Sequence, residues 1–307
     1  MSRSVKALQI GLTANKIINQ VETGEIHSIF DRTFNLILED NLVGIAQKDV
    51  TQTPINIVTS ISSKESMSSL GLKKGKRVKV IEDQIIIRNV LNISLEEAVI
   101  WRPRTRVESH LDFDSIRRNV DLAKRVSKRK IKTDGLGQLL NSLESILVGE
   151  EINSNDLNRV TEKAIPSITQ LVRGVRENDL RIVKSSARKL IGLGPGLSPS
   201  ADDMLSGFML AKWWIANSLD KRNVNRVREL NEAITDSKDR TTLVSQQLLV
   251  HGARGETNKA IEEFLEAILS GNKSSIESSV ERVMSIGETS GVDTMLGLLM
   301  GLELSLD

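Results

Sequence analysis

The 307-residue sequence contains no cysteine and no tyrosine, only three histidines, and 3% aromatic residues. Without cysteine there is no disulfide framework, no thiolate metal site, no thiol nucleophile and no iron–sulfur ligation. His27, His110 and His251 are too few for a histidine-rich metal centre. The scarcity of aromatics argues against stacking platforms for single-stranded nucleic acid and against aromatic cages. Charge of one sign is also missing, because 42 Lys and Arg face 40 Asp and Glu. No run approaches the length of a membrane span, and the amino terminus lacks the apolar core of a signal peptide, so a cytoplasmic protein without membrane partners is expected. A ligand would be held by backbone groups and small polar side chains.

Apolar content of 39% in a chain of this length is enough for two cores. Between Gly24 and Trp101, HSIFDRTFNLILED, LVGIAQ, PINIVTS and KRVKVIEDQIIIRN read as strands, with Glu82-Asp83 as a hairpin turn. Beyond Arg106 the period changes. SIRRNVDLAKRV, GQLLNSLESIL, NKAIEEFLEAIL and SSIESSVERVMSI repeat apolar residues every three to four positions, as helices do. The expectation is an α+β protein: a β-rich sheet or open barrel over 1–105, then a mostly helical domain over 106–307. Their join, Arg102 to Lys132, carries eleven Lys or Arg against four acidic residues. A solvated face or a surface for an acidic partner is expected there ahead of a nucleic-acid stripe through Lys124, Arg125, Lys128, Arg129, Lys130 and Lys132.

Chemistry is most concentrated in IGLGPGLSPSADDMLSGFMLAKWW, 191–214. Gly192 to Ser200 holds three glycines and two prolines, so it should be a constrained loop with unpaired N–H groups. It feeds a helix that Ser200 can cap, with Asp203 completing an S-x-x-D pattern. Orphan N–H groups and the positive end of a helix dipole make this a place for an anion. It is not a Walker A loop, since no Lys-Ser/Thr follows the last glycine, and no strand precedes it as a dinucleotide fold requires.

A second stretch, IGETSGVDTMLGLLMGLEL from Ile286, repeats the spacing. Ser200 aligns with Ser290, Ala201 with Gly291, Asp203 with Asp293, Gly207 with Gly297 and Ala211 with Gly301. Small residues at i and i+4 would let two backbones approach, so the two helices are expected to pack together and aim their N-termini at one pocket. Asp202, Asp203 and Asp293 could hold magnesium, orient an amide, or cap helices. A third stretch, DRTTLVSQQLLVHGARGE from Asp239, places Thr241 and Ser245 on one helix face with Asp239 as its N-cap. His251 at its far end is expected to serve the helix dipole ahead of catalysis.

GLGPGLSPSADD at 192–203, TTLVSQQLLVHGARGE at 241–256 and IGETSGVDTMLG at 286–297 together resemble the family of the oxamate carbamoyltransferase subunit AllH. The strand-rich first half fits as well, so the likeness covers most of the chain. It departs at Ala201, where the family pattern more often has glycine. The resemblance implies one of three different subunits that together transfer a carbamoyl group between oxamate and carbamoyl phosphate in allantoin breakdown. It therefore implies carbamoyltransferase subunits as partners and a small anionic substrate. Onto this sequence it carries Gly194, Gly196, Ser198, Ser200, Asp202, Thr242, Ser245, Ser290 and Gly291 as substrate-binding residues, with Asp203 and Asp293 as the catalytic pair and Mg²⁺ as a candidate cofactor. Two other classes fit the same residues: an ATP-dependent small-molecule kinase or carboxylase-like enzyme, and a non-catalytic ligand-binding or scaffold subunit.

Overall fold

The computed structural model describes residues 2–108, 112–131, 133–152 and 156–307. His110 and Lys132 lie outside these residues, as does the side chain of Lys130. The chain divides into two compact units, Met1–Pro103 and Arg104–Asp307.

The first unit contains β1 (Arg3–Gly11), α1 (Leu12–Ile18), β2 (Thr23–Ile29), β3 (Thr33–Leu38), β4 (Asn41–Ala46), β5 (Asn56–Thr59), β6 (Arg77–Ile81), β7 (Gln84–Ile87), β8 (Leu91–Ser94) and β9 (Val99–Trp101). The strands run β5-β4-β3-β2-β6-β7-β8-β1, and β1 pairs again with β5, so the expected, mostly antiparallel sheet closes into an eight-stranded barrel. The ninth strand, β9, adds to β1 in parallel. Period-two patterning fills the interior: in β3, Phe34, Leu36 and Leu38 are buried while Thr33, Asn35 and Ile37 are only partly covered. Glu82 and Asp83 form the hairpin turn, with Ile81 opposite Gln84. Strand β1, which completes the ring, was not apparent from the sequence pattern. A register shift between Ala7 and Gln9 breaks its alternation, so its buried residues, Val5, Ala7 and Ile10, follow no single period.

The second unit is helical: α2 (Phe113–Ser127), α3 (Leu143–Val148), α4 (Arg159–Arg176), α5 (Leu180–Leu190), α6 (Ser200–Leu219), α7 (Val224–Thr235), α8 (Leu243–Ala253), α9 (Lys259–Ser270), α10 (Lys273–Met284) and α11 (Ser290–Leu306). Outer helices such as α4 carry one apolar stripe, with Ala164, Ile168, Leu171 and Val172 at i, i+4, i+7 and i+8. The helices α6 and α11 differ. Every residue of α6 from Ser200 to Ala211, and of α11 from Gly291 to Leu302, is buried. Being apolar all round, these two form the centre on which the other helices pack. No helix among the described residues is long and apolar enough to cross a membrane.

Part of the basic stretch is paired within this unit, while Arg106, Arg118, Arg125 and Arg129 are exposed. Arg104 pairs with Glu266 at 2.8 Å, and its backbone N–H donates to the buried Glu262. Lys124 bridges Asp121 and Glu303, Lys128 reaches Glu144, and Arg117 donates to the Leu306 carbonyl.

Candidate functional site

The two matching segments pack as parallel helices whose backbones nearly touch. A Cβ at Gly297 would lie 2.7 Å from the Met204 carbonyl carbon and 2.8 Å from the Phe208 nitrogen. One at Gly207 would collide with the Thr294 carbonyl and come within 3.0 Å of the Leu298 nitrogen. Gly301 likewise faces Phe208 and Ala211. The offset of ninety that aligns Ser200 with Ser290 also turns Met204 into Thr294 and Phe208 into Leu298. The contacts are thus reciprocal, and the pair has an internal two-fold relation along the helix direction.

This packing brings the N-terminal ends together. The Ser198 and Ser290 hydroxyl oxygens are 3.0 Å apart, and Ser198 Oγ donates to Asp203 Oδ2 at 2.9 Å. Asp203 is buried. Burial pushes its carboxyl well above the ordinary value, and the charges of Asp293 and Asp202 add to this against the hydroxyls of Ser290 and Ser198. Asp293, fully buried, accepts from the Leu136 N–H at 2.6 Å. The turn that offers this N–H needs glycine at 135, where φ is +67° and a Cβ would stand 2.6 Å from the Asp293 carboxylate. Asn158 and Thr161 hold that turn by donating to the Gly135 carbonyl at 2.7 and 2.8 Å. Local sequence pattern gives no sign of Asn158 or Thr161, because their link to Asp293 spans more than a hundred residues.

Asp202 faces elsewhere. Its Oδ1 accepts from the Gly192 N–H at 2.8 Å, and its Oδ2 accepts from Ser245 Oγ at 2.6 Å and from Thr241 Oγ1. Burial raises its carboxyl from the ordinary value, opposed by those three donors. Thr242 accepts from the Ser245 N–H as the N-cap of α8 and donates to the Leu197 carbonyl. So the third segment fastens the glycine-rich loop directly at Leu197 and, through Asp202, at Gly192. Thr241 lies outside the helix expected to carry it, and Asp239 sits in a short 3₁₀ turn without capping α8. Thr242, one residue before the helix, has the extended backbone a cap needs.

The capping expected of Ser200 also fails. Pro199 holds the N-cap position, and its carbonyl accepts from Asp202 and Asp203 N–H, which makes Ser200 the first helical residue. Ser290 stands at the same place in α11. Ala201 is buried within the first turn and its N–H donates to the Leu193 carbonyl, whereas a Cβ at Gly291 would strike the Val283 carbonyl. In the loop itself, the N–H groups of Gly194, Gly196, Leu197, Ser198 and Ser200 have no acceptor among the described residues. Of these five residues, Ser198 also carries its side chain to Asp203 and Ser290.

Asp202, Asp203 and Asp293 do not combine as a metal-holding group of three; no such cluster of His, Asp or Glu occurs among the described residues. His251, on the last turn of α8, is buried and its Nδ1 is 2.6 Å from Glu256 Oε2.

A closed barrel followed by a helical unit built on a duplicated, backbone-tight helix pair is the class of protein that these features define. Residues 190–302 match the family model described as oxamate carbamoyltransferase subunit AllH, and residues 6–100 match that of the AllH family N-terminal domain. The chain belongs to the AllH family. No solved structure matches it.

Proposed function

We propose that the chain is a subunit of a carbamoyltransferase-type complex, and that the joined N-terminal ends of α6 and α11 bind a small carboxylate or carbamoyl compound such as oxamate or carbamoyl phosphate. The observation that carries this is the Ser198–Ser290 contact at the buried Asp203, in a loop whose N–H groups are unassigned. The family's name supplies the reaction class.

The assignment of parts follows from what each atom can donate or accept. Backbone N–H groups between Gly194 and Ser200, with Gly196 and Ser198 among them, cradle phosphate or carboxylate oxygens. Asp203, holding its proton to higher pH than an ordinary carboxyl, donates to the substrate without repelling it. Asp293 accepts from the amide N–H₂, with Gly291 giving α11 the close fit that sets its height. Asp202, Thr242 and Ser245 keep the loop in shape. Transfer of a carbamoyl group between two anions then relies on positioning and on donors at the carbonyl oxygen, with no covalent nucleophile from this chain. The donors are committed in a way that does not fit magnesium held by all three carboxylates, and no step is routed through a metal. Other subunits of the complex complete the site.

Thermal unfolding of the purified chain with carbamoyl phosphate, oxamate, phosphate or ATP, each with and without Mg²⁺, tests the reading. Ligand at about 100 times its dissociation constant adds roughly 2.7 kcal/mol. Carbamoyl phosphate or oxamate should raise Tm, and Ser198→Ala and Asp203→Asn should abolish the rise. Stabilisation by ATP with Mg²⁺ alone would overturn the proposal in favour of a small-molecule kinase.

A further inference from the structure

At the opposite end of the α6–α11 pair, a cleft of about 340 Å³ opens between the C-terminal turns of these helices, the start of α7 and the turn joining α4 to α5. Its mixed lining includes an apolar part, Ile215, Leu219 and Leu230, while Phe113 and Leu180 remain 52% and 36% exposed. Three cations line it, Arg176, Lys212 and Arg226, and the last two make few contacts. Lys212 uses one donor, to the Leu304 carbonyl at 2.8 Å, and Arg226 uses only Nε, to Asn178 Oδ1 at 2.8 Å. Neither has a carboxylate within 4.0 Å among the described residues, although Asp220 and Asp307 also line the cleft. Asp307 is paired with Arg176, and Asp220 with Arg222.

We propose that this cleft is a binding site for a small amphipathic anion, its carboxylate or phosphate head between Lys212 and Arg226 and its apolar body against Ile215, Leu219 and Leu230. Lys212 donates once out of three possible N–H bonds, and the guanidinium of Arg226 has four N–H groups left over. Lys212 is partly buried and Arg226 lies open to solvent, so an anion bridging them takes up unused donors on both. Burial first, and the Arg226 charge second, lower the Lys212 pKa to about 8, with Asp307 opposing them. The volume suits a head group with a chain of several carbons, within the usual range for ligand pockets. Oxamate and carbamoyl phosphate have no apolar body to fill it. The site is therefore an effector site, independent of the loop and serines at the far end.

Competitive labelling of lysines by acetic anhydride at pH 8, read residue by residue by mass spectrometry on the full chain, tests this with hexanoate, hexyl phosphate and neutral hexanol as probes. An anion that holds the ammonium proton tenfold more tightly lowers the neutral amine at pH 8 about fivefold, and labelling of Lys212 should slow to match. Exposed Lys189 should label at an unchanged rate. Arg226→Gln should slow Lys212 labelling without any ligand, because it removes a repelling charge, and should cancel most of the protection. Protection by hexanoate alone or by hexyl phosphate alone supports the site and identifies the head group. Equal protection by hexanol, no protection by either anion, or full protection in Arg226→Gln would overturn it.

Discussion

Gly297→Ala gives a test in which two physical effects have opposite sign. In an ordinary helix interior, replacing glycine by alanine stabilises by about 1 kcal/mol. At this position the new methyl would stand 2.7 Å from the Met204 carbonyl carbon and 2.8 Å from the Phe208 nitrogen, where about 3.5–4.0 Å is normal for such contacts. The obstacle is backbone, so no rotamer change relieves it. The two helices must separate by roughly 1 Å, which belongs at the upper end of overpacking costs, about 3 kcal/mol. The net expectation is a loss of about 2 kcal/mol, or a fall in Tm of roughly 4–8 °C for a unit of this size. Gly207→Ala should behave alike, since its contacts are the reciprocal ones. Once either methyl has parted the helices, the second meets less resistance, so the double variant should lose clearly less than the sum. Chemical denaturation of both single variants and the double variant measures this. A rise in stability for Gly297→Ala, or strict additivity, would refute the close parallel pairing.

Asp203→Asn should change the pH profile. The carboxyl of Asp203 is raised in the fold, so between its unfolded value and its folded value the native state holds a proton that the unfolded chain has lost; stability falls as pH rises through that window. The asparagine variant lacks this slope and should gain on the wild type from pH 4.5 to pH 8 in urea titrations; parallel profiles would contradict the burial of a costly carboxylate. Gly135→Ala should cost about 2–4 kcal/mol in urea unfolding, from left-handed strain and from pressing on the Asp293 carboxylate; a loss below about 0.5 kcal/mol would show that the turn does not buttress it. Thr241→Val with Ser245→Ala removes two of the three donors to Asp202 and should destabilise by about 2–4 kcal/mol, more at pH 8 than at pH 5, because the ionised form depends on them most; a pH-independent loss would refute that role.

Local signals in the sequence were reliable where structure is local. The strand runs, the turn at Glu82-Asp83 and the amphipathic stripes of α2, α9 and α10 each depend on neighbours a few residues away. The repeated small-residue spacing went further, because glycines at i and i+4 have little other use inside a helix than close approach. What stayed hidden depends on distance along the chain. Leu136 meets Asp293 across 157 positions, and Thr241 meets Asp202 across 39. The capping patterns misled for a different reason. Ser200 and Asp239 satisfy short motifs, but Pro199 and Thr242 have the extended backbone that hands their carbonyls to the following turn. The basic stretch is largely the exposed face expected of it, but the partners of Arg104, Lys124 and Lys128, namely Glu144, Glu262, Glu266 and Glu303, come from helices far downstream and could not be read locally.

The two helices of the central pair share a packing surface and differ at their tips. In α11, Gly291 lies so close to the preceding turn that no side chain fits, and Asp293 is gripped by a backbone N–H from a turn held by Asn158 and Thr161. In α6 the matching Ala201 is accommodated, and Asp203 rests on two hydroxyls that can rotate and reverse their hydrogen bonds. One carboxylate is therefore fixed as an acceptor, while the other sits where a proton can be kept or given up along a serine chain. An amide presents both an N–H to give and a carbonyl to receive, and a bare phosphate presents only acceptors. A pair of identical carboxylates would suit neither. On the proposed reading this asymmetry serves a carbamoyl or oxamate group, and Ser198→Ala should then weaken binding of the amide-bearing ligand more than binding of inorganic phosphate.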